Sequence, residues 1–348
     1  MVMTLRRVRR SCGCLAGRAA VGIAVLVVLA ACDPPFGLGL PTTRAVEDGA
    51  AASLDAATSF KITGSYATGV VSGETVSGNQ RTVELELARP STEHVLLSGA
   101  NLALEAILID KAAYFRGRAF LASHTSADPL SQSRVRAAGN AWWKGSAALA
   151  PELPDFTKGT SLAATFLGSA VTARTDHVSV GGVAAIDLSG PRADVFIGEA
   201  APHQVLRLHM KSRVVIDGIE GADLLYSDFD RNFGIVAPKG AIDFADLSTL
   251  PPIYTVVSVD TSGCSLTCVV SALLKNLGGR IGALAPSKVT FTMTDPATST
   301  VLGSCTTDVK PDVSYNATTK ASCTIDGVNG LVQNAALVTA AAVNPGRT

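Results

Sequence analysis

Seven cysteines, five histidines and a short run of aspartates are the residues with which this 348-residue chain could do chemistry. Four of the cysteines, Cys264, Cys268, Cys305 and Cys323, fall in the last quarter, separated by three, thirty-six and seventeen residues. Thiols so placed pair as disulfides or hold a metal. A structural zinc site normally presents close-spaced cysteine knuckles, which this spacing lacks, so two disulfides are expected, with three connectivities open. His94, His124, His177, His203 and His209 are dispersed. His203 and His209, six residues apart, would share one face of a strand but stand about 20 Å apart, too far to share a metal. Asp223, Asp228 and Asp230 lack the tight spacing and central glycine of a calcium loop, so a solvated strand end is expected there. The motifs of serine hydrolases, zinc proteases, P-loop nucleotide sites and dinucleotide sites are missing from the sequence. No catalytic set, cofactor or metal is therefore expected, and the chain does not read as an enzyme.

Charge and composition narrow the partners. Lys+Arg and Asp+Glu number 29 each, without the basic excess of a nucleic-acid binder, so no nucleic-acid partner is expected. Hydrophobic residues make up 47% and charged residues 17%, which excludes a disordered polyelectrolyte. The length suits about two domains of roughly 150 residues.

The N-terminus carries Arg6, Arg7, Arg9 and Arg10, then an uncharged apolar run, Ala19–Ala31, of 13 residues. A membrane span needs ~20 such residues, so residues 1–31 read as a signal peptide rather than a transmembrane helix. The run ends in Leu29-Ala30-Ala31-Cys32. This resembles the lipobox of bacterial lipoproteins, and the resemblance implies cleavage before Cys32 and acylation of its sulfur. The chain would then be lipid-anchored on the extracytoplasmic face of the cell membrane, each buried methylene contributing ~0.8 kcal/mol. Removing the signal takes away five of the 29 basic residues and no acid, leaving 24 against 29 and a net charge of −5. Export also favours disulfides over free thiols.

Residues 32–44 follow as a flexible tether, rich in Pro and Gly through Asp33–Pro41. Val46, Ala50, Leu54 and Ala57 recur at helical spacing, predicting a helix over Ala45–Thr58. From Ser59 the period switches to two, as in Val83-Glu84-Leu85-Glu86-Leu87, predicting strands. Further strands are expected at His94–Leu97, Leu102–Asp110, Ala112–Arg116, His177–Leu188, Ala193–Ile197, Val205–Ile216, Ala222–Asp228 and Ile235–Val236. Between Ser126 and Ser169 the alternation stops, and Ser131–Ala138 and Thr160–Gly168 read as helical. Trp142 and Trp143 point to opposite sides if extended, so one is a candidate for an exposed membrane-facing or ligand-facing edge; the alternative is one buried ring and one lying flat on the surface. Pro251-Pro252 cannot continue a ladder and sets a boundary between a domain over 45–250 and a second over 251–348.

The order of features in 45–250 includes Ala57–Gly64, then Ile107–Gly117, then Ala141-Trp142-Trp143-Lys144-Gly145, then Phe233–Pro238. It resembles the actinobacterial lipoproteins that carry triacylated glycolipids, and the periplasmic lipoprotein carriers that share their fold. The resemblance implies an antiparallel, curved half-barrel sheet covered by helices, with an apolar cavity beneath it for a lipid or glycolipid. Alternation puts Val83, Leu85 and Leu87 on one face and Leu102, Leu104, Ala106 and Leu108 on another. Ile62, Val83, Leu85, Leu87, Leu104 and Leu108 are the cavity candidates. In the tail, Ala285–Thr292, Ser299–Gly303 and Ala335–Ala340 resemble bacterial immunoglobulin-like repeats of cell-surface proteins. That resemblance implies an all-β sandwich, an α+β chain overall, and places Cys305 and Cys323 on neighbouring strands. Cys264 and Cys268 can bond only if the chain turns between them. The expected function is binding or carriage of an apolar envelope molecule. The alternative is a non-catalytic scaffold presenting the tail to an envelope protein partner.

Overall fold

The Thr42 hydroxyl accepts from the amide of Ala45 at 3.2 Å, capping helix α1 (Thr43–Ala56). Val46, Ala50 and Leu54 form its fully buried stripe. Residues 43 and 44 therefore belong to the helix rather than to the tether. The structure, a computed structural model, describes residues 41–68, 79–151, 153–168, 170–264, 267–327 and 336–347. The expected signal peptide (residues 1–31), Cys32 and residues 33–40 of the expected tether lie outside the described residues. Among the described residues no helix is long and apolar enough to cross a membrane.

Five antiparallel strands follow in sequence order: β1 (Ser59–Thr68), β2 (Asn79–Ala88), β3 (Thr92–Gly99), β4 (Leu102–Ile109) and β5 (Ala112–Arg116). Helices α2 (Arg118–Ser123) and α3 (Pro129–Ala138) interrupt them before β6 (Trp143–Ser146) pairs with β5. A wide helical turn over Leu162–Leu167 leads to β7 (Ala173–Val180), β8 (Val183–Ser189), β9 (Ala193–Gly198), β10 (Val205–Met210), β11 (Val215–Ile216), β12 (Ile219–Ser227) and β13 (Ile242–Asp243). All join one 13-stranded sheet in the order β13-β6-β5-β4-β3-β2-β1-β12-β10-β9-β8-β7, with β11 paired to β12. Only the two-residue β13 runs parallel to its neighbour among these described strands. β12 lies beside β1, so the late strands extend the sheet on the far side of the first one.

Several expected strands are redrawn. His177–Leu188 is a hairpin, broken where Gly181 and Gly182 both take positive φ. Val205–Ile216 is split by a turn containing Arg213 at φ 66°. Ile235–Val236 is unpaired and Val236 is exposed. β6 and α2 arise where no regular pattern was read: β6 is four residues long and α2 six, too short to display a period.

Beyond the buried Pro251, Pro252 and Ile253, six strands build two small antiparallel sheets. They are β14 (Tyr254–Cys264), β15 (Cys268–Asn276), β16 (Lys288–Thr294), β17 (Val301–Asp308), β18 (Thr318–Ile325) and β19 (Leu337–Val343). One sheet runs β14-β15-β18 and the other β17-β16-β19. Both sheets feed one core containing Val270, Leu274, Val289, Phe291 and Met293. The chain is α+β and mostly strand.

The two disulfides are Cys264–Cys268 and Cys305–Cys323. The first closes the β14–β15 hairpin, whose register sets the two cysteines opposite each other. The second departs from the expected placement on neighbouring strands of a ladder: β17 and β18 belong to different sheets, and the bond joins the sheets with the Cα atoms 6.2 Å apart. At the crossover, fully buried Asn276 meets all its side-chain hydrogen-bonding needs. Its Oδ1 accepts from the amides of Ile253 and Gly278, both at 3.0 Å, and its Nδ2 donates to Gly279 O and Val313 O at 2.8 and 2.7 Å.

Candidate functional site

Strand register assembles the apolar face of β1–β5 into three cross-strand rows. One row holds Gly64, Val83, Leu97 and Leu104; the next holds Ile62, Leu85, Val95, Ala106 and Phe115; the third holds Phe60, Leu87, Glu93, Leu108 and Ala113. The β2 and β4 sets therefore share one face of the sheet, correcting the expectation of two. Gly64 is required where β1 and β12 approach, because a Cβ there would overlap the backbone of Asp223.

Over parts of all three rows lies a cavity of about 500 Å³. Leu85, Leu87, Leu104 and Leu108, four of the six candidates, line it; Ile62 and Val83 do not and pack in the surrounding core. Its opposite wall is formed by residues 150, 151 and 153–158, which contribute Leu153, Pro154 and Phe156. The volume lies within the ~300–1,000 Å³ usual for small-molecule sites with mainly apolar walls.

That covering segment is fastened at several points. The Arg89 guanidinium donates to the carbonyls of Ala57, Leu54 and Thr157, each at 2.9 Å, and lies over the Phe60 ring. One side chain thus satisfies carbonyls at the C-terminus of α1, where a cation is favourable, and holds the cover to β2. Buried Tyr226 donates its hydroxyl to Phe156 O at 3.0 Å, and burial pushes that phenol far above its ordinary pKa. Asp55 on α1 accepts from the Gly159 amide at 2.8 Å. Asp155 pairs with Lys158 at 2.6 Å. Burial alone would raise the Asp155 pKa, but hydrogen bonds from Lys158 and Thr157 outweigh it and hold the carboxyl below its usual range.

Glu93 breaks the apolar pattern. It sits opposite Leu87 and Leu108, in phase with Val95 and Leu97, and lines the cavity. Burial, and secondarily the charge of Asp155, push its pKa up. Neither Glu93 nor Arg89 was singled out in the sequence, since a polar residue at a strand end reads as turn. The available signal was the two-residue phase of Glu93 with Val95.

The opposite face carries a charged row. Lys61 contacts Glu84 and Glu86, Glu86 meets His94 at 3.2 Å, His94 meets Glu105 at 3.0 Å, and Glu105 meets Arg116. Arg116 in turn lies 5.0 Å from the centre of the half-buried Trp142 ring. Trp143 is buried against Phe115, Phe120 and Phe244. Trp143 is thus the buried member of the tryptophan pair and Trp142 the half-buried one.

The other candidates disperse. Of His203 and His209, only His209 lies on a strand, while His203 occupies the preceding turn at φ 59°, so the two do not share a strand face. Asp223 receives both Nε and Nη2 of Arg207 at 2.7 and 2.6 Å, Asp228 pairs with Arg231, and Asp230 accepts from the amide and hydroxyl of Thr58. The three carboxylates thus serve three separate structural contacts. No cluster of three or more potential metal ligands occurs among the described residues.

No protein-family model matches the chain, and no curated protein shows significant similarity to it. The functional reading therefore rests on the cavity and its walls.

Proposed function

We propose that the protein is a membrane-anchored lipoprotein of the bacterial cell envelope that binds or carries an apolar envelope molecule, a lipid or lipoglycan. On this reading the 13-stranded sheet is a half-barrel, and 251–348 is an immunoglobulin-like module supplying spacing or contacts. The observation that carries the proposal is the cavity of about 500 Å³ walled by Leu85, Leu87, Val95, Leu97, Leu104 and Leu108. An acyl chain entering it gains ~25 cal/mol for each Å² of apolar surface removed from water, with no covalent step. A pure scaffold needs no such space, since side chains would fill the interior. Acylation of Cys32 would hold the binding domain near its source membrane.

Native mass spectrometry of the protein purified without detergent tests the reading. Co-purifying lipid is expected. A clean apo mass, together with no binding of the neutral apolar dye N-phenylnaphthylamine, would replace it with the scaffold role. Labelled palmitate is expected on the wild-type chain and not on Cys32→Ser, which should also leave the membrane fraction.

A further inference from the structure

We propose that the cavity selects amphiphiles with a cationic, hydrogen-bond-donating head, an alkylammonium type, and that Glu93 is the residue that receives this head. The inference rests on the binding reading above and adds the chemical class of the ligand.

Among the described residues, four charged groups surround the space: Arg89 at the end of β2, Glu93 on β3, and Asp155 and Lys158 on the covering segment. Asp55 of α1 stands nearby on Gly159. Three of the four lining charges are already engaged. Arg89 gives its donors to three carbonyls and stacks on Phe60. Lys158 and Asp155 neutralise each other, and Thr157 donates its amide and hydroxyl to Asp155. The Glu93 carboxylate has no ion pair or hydrogen bond to any described residue, although its register turns it toward Leu87 and Leu108.

A carboxylate in such a place sets a preference by itself. An anionic head, such as a fatty acid carboxylate, would meet the Glu93 carboxylate with no uncommitted cation among the described lining residues to offset the repulsion. A neutral alcohol could donate one hydrogen bond. An ammonium could donate and also neutralise the charge, giving the strongest of the three interactions in a partly desolvated site. The apolar rows beyond Glu93 then take the tail, which fixes the order head at Glu93, tail toward Leu85 and Leu104.

The test displaces N-phenylnaphthylamine from the full chain carrying Cys32→Ser, in detergent-free buffer, with dodecylamine, dodecanol and dodecanoate. Dodecylamine is expected to bind at least about tenfold tighter than dodecanoate, with dodecanol between them. Glu93→Gln should collapse that order, and Glu86→Gln, on the opposite face, should preserve it. Equal or tighter binding of dodecanoate by the wild-type chain, or loss of the order in Glu86→Gln as well, would overturn the assignment of Glu93 while leaving the cavity reading in place. Absence of binding by all three amphiphiles and by the dye would instead remove the cavity reading, and this inference with it. The wild-type comparison stands even if a variant fails to fold.

Discussion

Glu93 interrupts a row otherwise made of Phe60, Leu87, Leu108 and Ala113, and that position has a cost readable as pH dependence. Burial first, then the Asp155 charge, raise its pKa, so the folded chain holds this proton more tightly than the unfolded chain. Stability then falls as pH rises from the unfolded carboxyl pKa through the raised folded one, and the penalty is fully present above both. Glu93→Gln is expected to melt above wild type near pH 7, with the gap closing below about pH 4, where both states are protonated. Melts followed by circular dichroism check this, and a lower neutral-pH midpoint for the variant would contradict it. Ala106, buried in the row between Val95 and Phe115, allows a complementary experiment. Ala106→Phe is expected to fill the cavity and remove most dye binding, for an overpacking cost of about 1–3 kcal/mol measured by urea denaturation.

At the scale of elements, the covering segment (residues 150, 151 and 153–158) depends on partners remote in sequence. Arg89→Ala deletes bonds to Leu54, Ala57 and Thr157 and is expected to destabilise by about 2–4 kcal/mol, with hydrogen exchange accelerated around residues 156–159. Unchanged exchange there would show that Tyr226 and Asp55 suffice. Local patterns foretold what local patterns can carry. Val46, Ala50 and Leu54 announced α1, and the Val83–Leu87 alternation announced β2, because each buries one face against a single layer. The cover was illegible because its residues follow no period and owe their position to long-range bonds. The cavity was only partly legible: alternation finds inward residues such as Leu85 and Leu104, but also Ile62 and Val83, and it cannot say which inward residues the core fills.

For the whole molecule, polar contacts brace the smaller pair of sheets internally, and a few backbone bonds join that part to the large-sheet part. Asn276 ties residues 253, 278, 279 and 313 together, Asn344 exchanges hydrogen bonds with the backbone of Tyr254, and the Arg347 amide donates to Ala137 O at the end of α3. Asn276→Ala strands several buried donors and acceptors and is expected to lower stability by about 3 kcal/mol or more in urea denaturation. Reducing Cys305–Cys323, or replacing both cysteines with serine, releases an 18-residue separation and is expected to cost about 3 kcal/mol. The row from Lys61 through Glu86, His94 and Glu105 to Arg116 carries a different implication. Lys61 sits on Glu86, Arg116 on Glu105 and the His94 ring between the two carboxylates, so reversing either carboxylate sets a like charge beside its cation and removes a partner from the ring. Evolution can rewrite that surface only by changing neighbouring positions in concert, and divergent copies of this chain should show those residues covarying as a set.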